Sequence, residues 1–258
     1  MAAHRDFVTQ LENFDNEARS AARFAYADFA IQHAASKSKR LLYRLNNTPT
    51  FWLTAAAAFQ TAAYISLGRI FDNKSRFNIH ELLNTAESNI SIFQRDALAE
   101  RKRDGKPTDP PWLADYLAKA YYPKPDDFAR LRKKVDQYRA LYEKGIKPAR
   151  NEYIAHRVRH GHAQVSALFA RGKVKDLWRL TVFLQQLYGA LWNLLHNGRK
   201  PTFRPMRYSV ASMFRRFPSG TSAHESIVRE VQKLMQFIES ATPNRAFNTD
   251  ARKSSARR

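Results

Sequence analysis

Between residues 6 and 46 the chain contains neither glycine nor proline. A run of that length without a backbone breaker is most simply spanned by helix. The apolar pattern agrees: Phe7, Leu11, Phe14, Ala18, Ala21, Ala22, Ala25, Phe29 and Ala35 recur at helical spacing. The sequence therefore predicts one long helix over 6–46, stopped by Asn46-Asn47-Thr48-Pro49. Thr48 is placed to cap the next helix, with Pro49 in its first turn, where a missing N–H costs nothing.

That next helix, predicted over 49–72, is apolar almost all round, with Phe51, Trp52, Leu53, four consecutive alanines, Phe59, Ile65, Leu67, Ile70 and Phe71. Such a helix belongs at the centre of a bundle. Its apolar stretch, Thr48 to Gly68, carries Gln60 and Ser66 and is followed at once by Arg69 and Asp72, so it reads as a buried helix and not as a membrane span. Further helices are predicted over 78–86, 90–103, 112–122, from 126 onward, 173–197 and 221–240. The loop 104–111, the Pro123-Lys124-Pro125 break, Gly145, Pro148 and Asn197-Gly198 punctuate them. Asp126 and Asp127 sit where a helix start favours negative charge. No alternating strand pattern competes. With 8 glycines and 11 prolines among 258 residues, and 17 Phe, 11 Tyr and 4 Trp to fill a core, the expected fold is all-α, a multi-helix bundle with a basic C-terminal extension. The expected organisation is a helical domain over 1–198, a basic aromatic arm with an amphipathic helix over 199–241, and a disordered basic tail over 242–258.

The absence of cysteine excludes disulfides, thiol catalysis and Cys-type zinc sites. The N-terminus lacks the basic-then-apolar run of a secretory signal, so a cytoplasmic location is expected, with no membrane partner. Net charge is +21, and it is concentrated. Residues 145–216 hold 14 basic and only 2 acidic side chains, against 23 and 17 in residues 1–144. A field of that sign draws polyanions and accelerates encounter with them, and nucleic acid is the first expectation. The arm mixes cations with rings: Lys200, Phe203, Arg204, Arg207, Tyr208, Phe214, Arg215, Arg216 and Phe217. That mixture suits phosphate contact plus base stacking, with Arg204, Arg207, Arg215 and Arg216 as the phosphate partners. An arm packed on the bundle with solvated arginines fits the same residues equally well.

Chemistry concentrates in Arg150-Asn151-Glu152-Tyr153-Ile154-Ala155-His156-Arg157. An arginine can place several donors on a phosphorane-like transition state, and a histidine can move protons near neutral pH. RNA brings its own nucleophile, the 2′-hydroxyl. On a regular helix Arg150 and His156 lie about 120° apart around the axis and about 9 Å along it, so one helix does not aim both at one point. His156, His160 and His162 could suggest a metal, but the reading favoured here is an RNA-facing basic cluster with Arg157 and Arg159, without metal or other cofactor.

This segment resembles the Arg–polar–four residues–His motif of HEPN domains (higher eukaryotes and prokaryotes nucleotide-binding). The wider chain is similar to the branch named after the abortive-infection protein AbiU. The likeness runs from about Phe51 to Leu195 and includes Ser66-Leu67-Gly68-Arg69-Ile70-Phe71-Asp72, a Ser-containing turn, Leu82-Leu83, the Arg-Asn…His segment and a final apolar helix. Relatives often place Asp shortly after the histidine, whereas this chain has Arg157 followed by Val158. The resemblance implies an all-α HEPN fold and a homodimer. It also implies, in active members, metal-independent RNA cleavage of toxin or abortive-infection type at a site combining Arg150, Asn151 and His156 of two protomers. The alternative it leaves open is a catalytically silent dimer that binds RNA or nucleotide, or docks an acidic partner such as an antitoxin.

Overall fold

A computed structural model describes residues 2–75, 78–151, 173–205 and 223–241. The described residues form helices and connecting turns, with no strand among them. In chain order the helices are α1 (Ala2–Lys37), α2 (Lys39–Leu45), α3 (Pro49–Phe71), α4 (Ile79–Ser88), a 3-10 turn (Ile90–Phe93), α5 (Arg95–Arg103), α6 (Leu113–Lys119), α7 (Pro125–Gly145), α8 (Val174–Asn197) and α9 (Ala223–Ser240).

Helix α1 is the spine, packed against α3, α8 and α9. Phe7, Leu11, Phe14, Ala18, Ala21 and Ala25 are all buried on one stripe, alternating steps of three and four residues. That spacing keeps one face towards neighbouring helices over many turns. Within that stripe the large residues sit at the N-terminal end, where Phe7 meets Phe93 edge-on at 5.2 Å between centroids. The alanines follow and let neighbouring backbones approach. Helix α7 closes the other side against α4, α8 and α3. There Tyr138 stacks on Phe183 at 3.9 Å and Phe71 on Tyr142 at 5.3 Å. Each such buried ring contributes about 1.5–3 kcal/mol over leaving it in water.

Three expectations are corrected. The long helix predicted over 6–46 is two helices, because Ser38 adopts extended backbone and caps α2, accepting a hydrogen bond from the Leu41 N–H at 3.1 Å. Its hydroxyl also donates to Glu239 of α9. A serine can satisfy backbone donors outside a helix, and here a residue two hundred positions away holds it in that role. Helix α3 is central only in its second half. Ala63, Tyr64, Leu67, Ile70 and Phe71 are buried, whereas Phe51 is 64% and Leu53 72% exposed. The helix predicted over 90–103 is a 3-10 turn followed by α5, with Gln94 extended between them. Thr48 does precede α3, with Pro49 in the first turn, but its side chain makes no capping hydrogen bond.

Helix α8 ends as the sequence predicts. Gly198 takes the left-handed conformation, φ 54°, and a Cβ there would press on Leu98 and Ala120 at 2.7 and 2.8 Å. The Gly198 carbonyl accepts from the Tyr121 N–H at 2.6 Å, fixing where residues 199–205 leave the bundle. Helix α9 seals a second apolar cluster, in which Val231 and Met235 meet Ala27, Ala30, Leu41 and Leu45. Among the described residues no helix is long and apolar enough to cross a membrane.

Candidate active site

Arg150 lies where α7 gives way to a short further helical turn. Helix α7 ends at Gly145, and residues 147–151 continue with a widened π-type winding at 149–151. Pro148 explains the change of pitch, since it has no N–H to continue the ladder and its ring crowds the preceding turn. The Arg150 N–H still reaches the Ile146 carbonyl at 3.0 Å, so the residue is held by backbone as well as by side chain.

The guanidinium of Arg150 crosses the end of α3. Its Nη1 donates to Asp72 Oδ2 and to Asn151 Oδ1, each at 3.2 Å. Asp72 is the residue that caps α3, its N–H bonded to the Gly68 carbonyl at 2.9 Å. Its other carboxylate oxygen accepts from the Lys74 N–H at 3.1 Å, and its carbonyl accepts from the Ser75 N–H at 2.9 Å. The turn after α3 therefore fixes the carboxylate that orients Arg150. The Lys74 N–H first, and then the Arg150 guanidinium, hold the Asp72 carboxyl below the usual carboxylate range against the opposing effect of burial.

Gly68 makes the crossing possible. A Cβ there would lie 2.6 Å from both Cδ and Cζ of Arg150. No side chain larger than hydrogen leaves room for the guanidinium over this turn of α3. Beneath it, Tyr142 stacks on Phe71 and is itself buried. Burial pushes the Tyr142 pKa up, and the adjacent Arg150 charge opposes the shift. A chain of polar contacts runs from this point back along α7. Lys147 and Arg139 both donate to Glu143, at 3.4 and 3.2 Å, and Arg139 Nη1 lies 3.3 Å from His80 Nε2 on α4. Burial, and then the Arg139 charge, lower the His80 pKa, so its ring is neutral at pH 7 and Nε2 can accept from Arg139.

The structure joins Gly68 and Asp72 to the Arg150-Asn151 pair, two residues that the motif alone does not mark. The available signal was a glycine inside an apolar helix, where it costs about 1 kcal/mol against alanine and implies a close approach. His156, Arg157, Arg159, His160, His162, Arg207, Arg215 and Arg216 lie outside the described residues. Arg204 is described: its side chain is exposed, and its backbone N–H donates to Gln186 on α8 at 3.1 Å. Among the described residues no three His, Asp or Glu side chains are grouped so as to hold a metal ion.

The HEPN family model described as AbiU2 matches residues 5–211. The chain belongs to the AbiU2 family of HEPN proteins. The match begins with α1 and so extends well before Phe51, where the motif-based likeness begins, and it runs past α8 into the arm. The all-α architecture expected for a HEPN protein is the one observed. No curated protein and no solved structure matches the chain. Within the AbiU2 family match, the run 66–72 and the Arg150-Asn151 pair are one structural unit, because Gly68 and Asp72 together seat the arginine.

Proposed function

We propose that this HEPN protein is a metal-independent endoribonuclease of toxin or abortive-infection type, working in the cytoplasm as a homodimer. Membership of the family points to RNA cleavage or abortive infection as the setting. The observation that carries the finer reading is the seat of Arg150. Its hydrogen bonds to Asp72 and Asn151 both leave from Nη1. A phosphate oxygen would meet the remaining donors of a guanidinium already positioned by Gly68 and Asp72.

In the proposed reaction a base removes the proton from the RNA 2′-hydroxyl, whose oxygen attacks the adjacent phosphorus. The P–O5′ bond breaks, the 5′-oxygen takes a proton, and a 2′,3′-cyclic phosphate remains. Arg150 stabilises the negative charge on the non-bridging oxygens, Asn151 orients Arg150 or the phosphate, and His156 moves the proton. A regular helix through this segment would leave the two residues about 120° apart, which favours a site shared between two protomers. The surrounding cations Arg157, Arg159, His160, His162, Arg204, Arg207, Arg215 and Arg216 would hold the RNA backbone.

The test is incubation of the purified protein with total RNA in EDTA, beside His156→Ala, with product ends analysed for the cyclic phosphate. Activity lost in EDTA and restored by a divalent cation would refute the mechanism. Light scattering showing a stable monomer at micromolar concentration would refute the shared site. One observation favours a second reading, the silent RNA- or partner-binding dimer: Asp72 already neutralises Arg150, as in a purely structural ion pair. Full RNA binding with no cleavage by the unsubstituted protein would select it.

A further inference from the structure

A second basic feature lies away from Arg150, in a groove of about 390 Å³ between α7 and the segment 199–205. Arg130, Lys134, Lys200 and Phe203 line it, with Asp127 at one side. Asp127 is committed elsewhere, since it accepts from Arg130, from the Tyr121 hydroxyl and from the Lys124 N–H at 2.5, 2.5 and 2.8 Å. Arg130 and Asp127 cancel as an ion pair. Lys134 and Lys200 make no ion pair among the described residues, and each ammonium lies over a ring instead: Lys134 5.9 Å from the Tyr138 centroid, Lys200 5.7 Å from that of Tyr121. Cations held over aromatic faces keep their charge available while their stems are positioned.

The same groove contains the end of an aromatic stack. Tyr138 stacks on Phe183 at 3.9 Å, and Phe183 on Phe203 at 5.9 Å. Phe203 is half-buried and is the member of that stack that, with Pro201 and Leu131, lines the groove. A planar heterocycle laid on Phe203 would extend the stack by one ring, with two ammonium groups beside it for its phosphates, neither paired with a carboxylate among the described residues. Sulfate-like or carboxylate ligands use the charge but not the ring, and an apolar ligand uses the ring but leaves the lysines unanswered. A nucleotide uses both.

We propose that this groove binds a nucleotide of single-stranded RNA, its base on Phe203 and its phosphates at Lys134 and Lys200, as a holding site separate from Arg150. Lys134 lies three turns of α7 before Gly145, about 16 Å along the axis, so a strand engaged at both places must pass several nucleotides between them. The choice of RNA among nucleic acids rests on the ribonuclease reading, whereas the charge and the ring do not. The groove would grip substrate without touching the reacting atoms.

The experiment measures fluorescence anisotropy of a labelled uridine 12-mer and, separately, of labelled polyphosphate, with full-length protein carrying His156→Ala so that nothing is cut. The Lys134→Ala/Lys200→Ala protein should bind both probes more weakly, and the log–log salt slope for RNA should flatten by about 1.4, roughly 0.7 for each phosphate that a lysine neutralises. Phe203→Leu keeps an apolar side chain against Phe183 but removes the ring. It should weaken the 12-mer about tenfold and leave polyphosphate unchanged. Unchanged affinity and slope in the double-lysine variant would overturn the site, and equal weakening of both probes by Phe203→Leu would overturn the stacking. Absence of cleavage by the unsubstituted protein would refute the ribonuclease reading alone, since none of these readouts depends on it.

Discussion

Arg150 lies across Gly68 so closely that a Cβ on the glycine would sit 2.6 Å from the arginine Cζ. Two residues from distant parts of the chain therefore share one space, and the arginine conformation is tied to the absence of a side chain on α3.

Gly68→Ala separates position from fold. Alanine is favoured over glycine inside a helix by about 1 kcal/mol, which offsets part of any local repacking. The variant should remain helical, with a melting temperature within a few degrees of the parent, while Arg150 is pushed off Asp72. RNA cleavage should fall by at least about tenfold, as expected when a reacting group is displaced by an ångström. Parental cleavage rates in Gly68→Ala would show that this seat does not matter.

Asp72→Asn tests the orienting carboxylate. Its folded pKa is depressed, so the ion pair contributes stability that is present above the unfolded carboxylate pKa and lost as pH falls through the folded one. Thermal melts of the parent should therefore lose stability on acidification below about pH 4, and Asp72→Asn should lack that component. The size should stay below about 1 kcal/mol, because both partners are partly exposed to solvent. Identical pH profiles for the two proteins would remove Asp72 from the account.

Arg150→Ala and His156→Ala should each reduce cleavage on the order of 100-fold, the first by removing charge stabilisation and the second by removing proton transfer. The double variant should be little worse than either single one, since residues acting as a unit are not additive. Single-turnover rates on a labelled oligonucleotide decide this. Fully multiplicative losses would mean that the two residues act separately.

Asp28 provides a test of the opposite sign. It is buried between α1 and α3 and accepts hydrogen bonds from Gln32 and Gln60 at 2.8 and 3.3 Å, with no cation in that set. Burial raises its pKa. A raised carboxylate contributes fully below its unfolded pKa and loses that contribution as pH rises through the folded one. Asp28→Asn should therefore be more stable than the parent at pH 7, with the gap closing as pH falls through the raised folded pKa and closed below about 4. Calorimetry at the two pH values measures it, and a destabilised variant at pH 7 would show that the charge itself is required.

The sequence is most legible where a local rule has a local cause. Helices α7 and α8 begin and end close to where Pro125, Gly145 and Gly198 place them, because proline and glycine act on their own backbone. Arg150 and Asn151 stand out in the sequence as neighbours within one motif. The split of the first helix is not, because Ser38 is held by Glu239 of α9, and no window on the sequence contains both. The exposed first half of α3 escapes for a related reason. Hydropathy records that Phe51 and Leu53 are apolar, but not that the buried stretch of this helix begins only at Ala63. The seat of Arg150 is hidden because its floor and its anchor lie on α3 and the turn that follows it.

Helix α9 has a practical consequence for anyone cutting the protein into pieces. The family match stops at residue 211, while α9 begins at Ala223 and covers Ala27, Ala30, Leu41 and Leu45 with Val231 and Met235. A fragment ended at the family boundary would keep the segment that seats Arg150 and uncover that apolar seam along α1 and α2. Such a piece is expected to precipitate on expression, and a synthetic peptide spanning 223–240, added in trans, is expected to restore its solubility. The smallest well-behaved unit is thus expected to be longer than the homology that defines it.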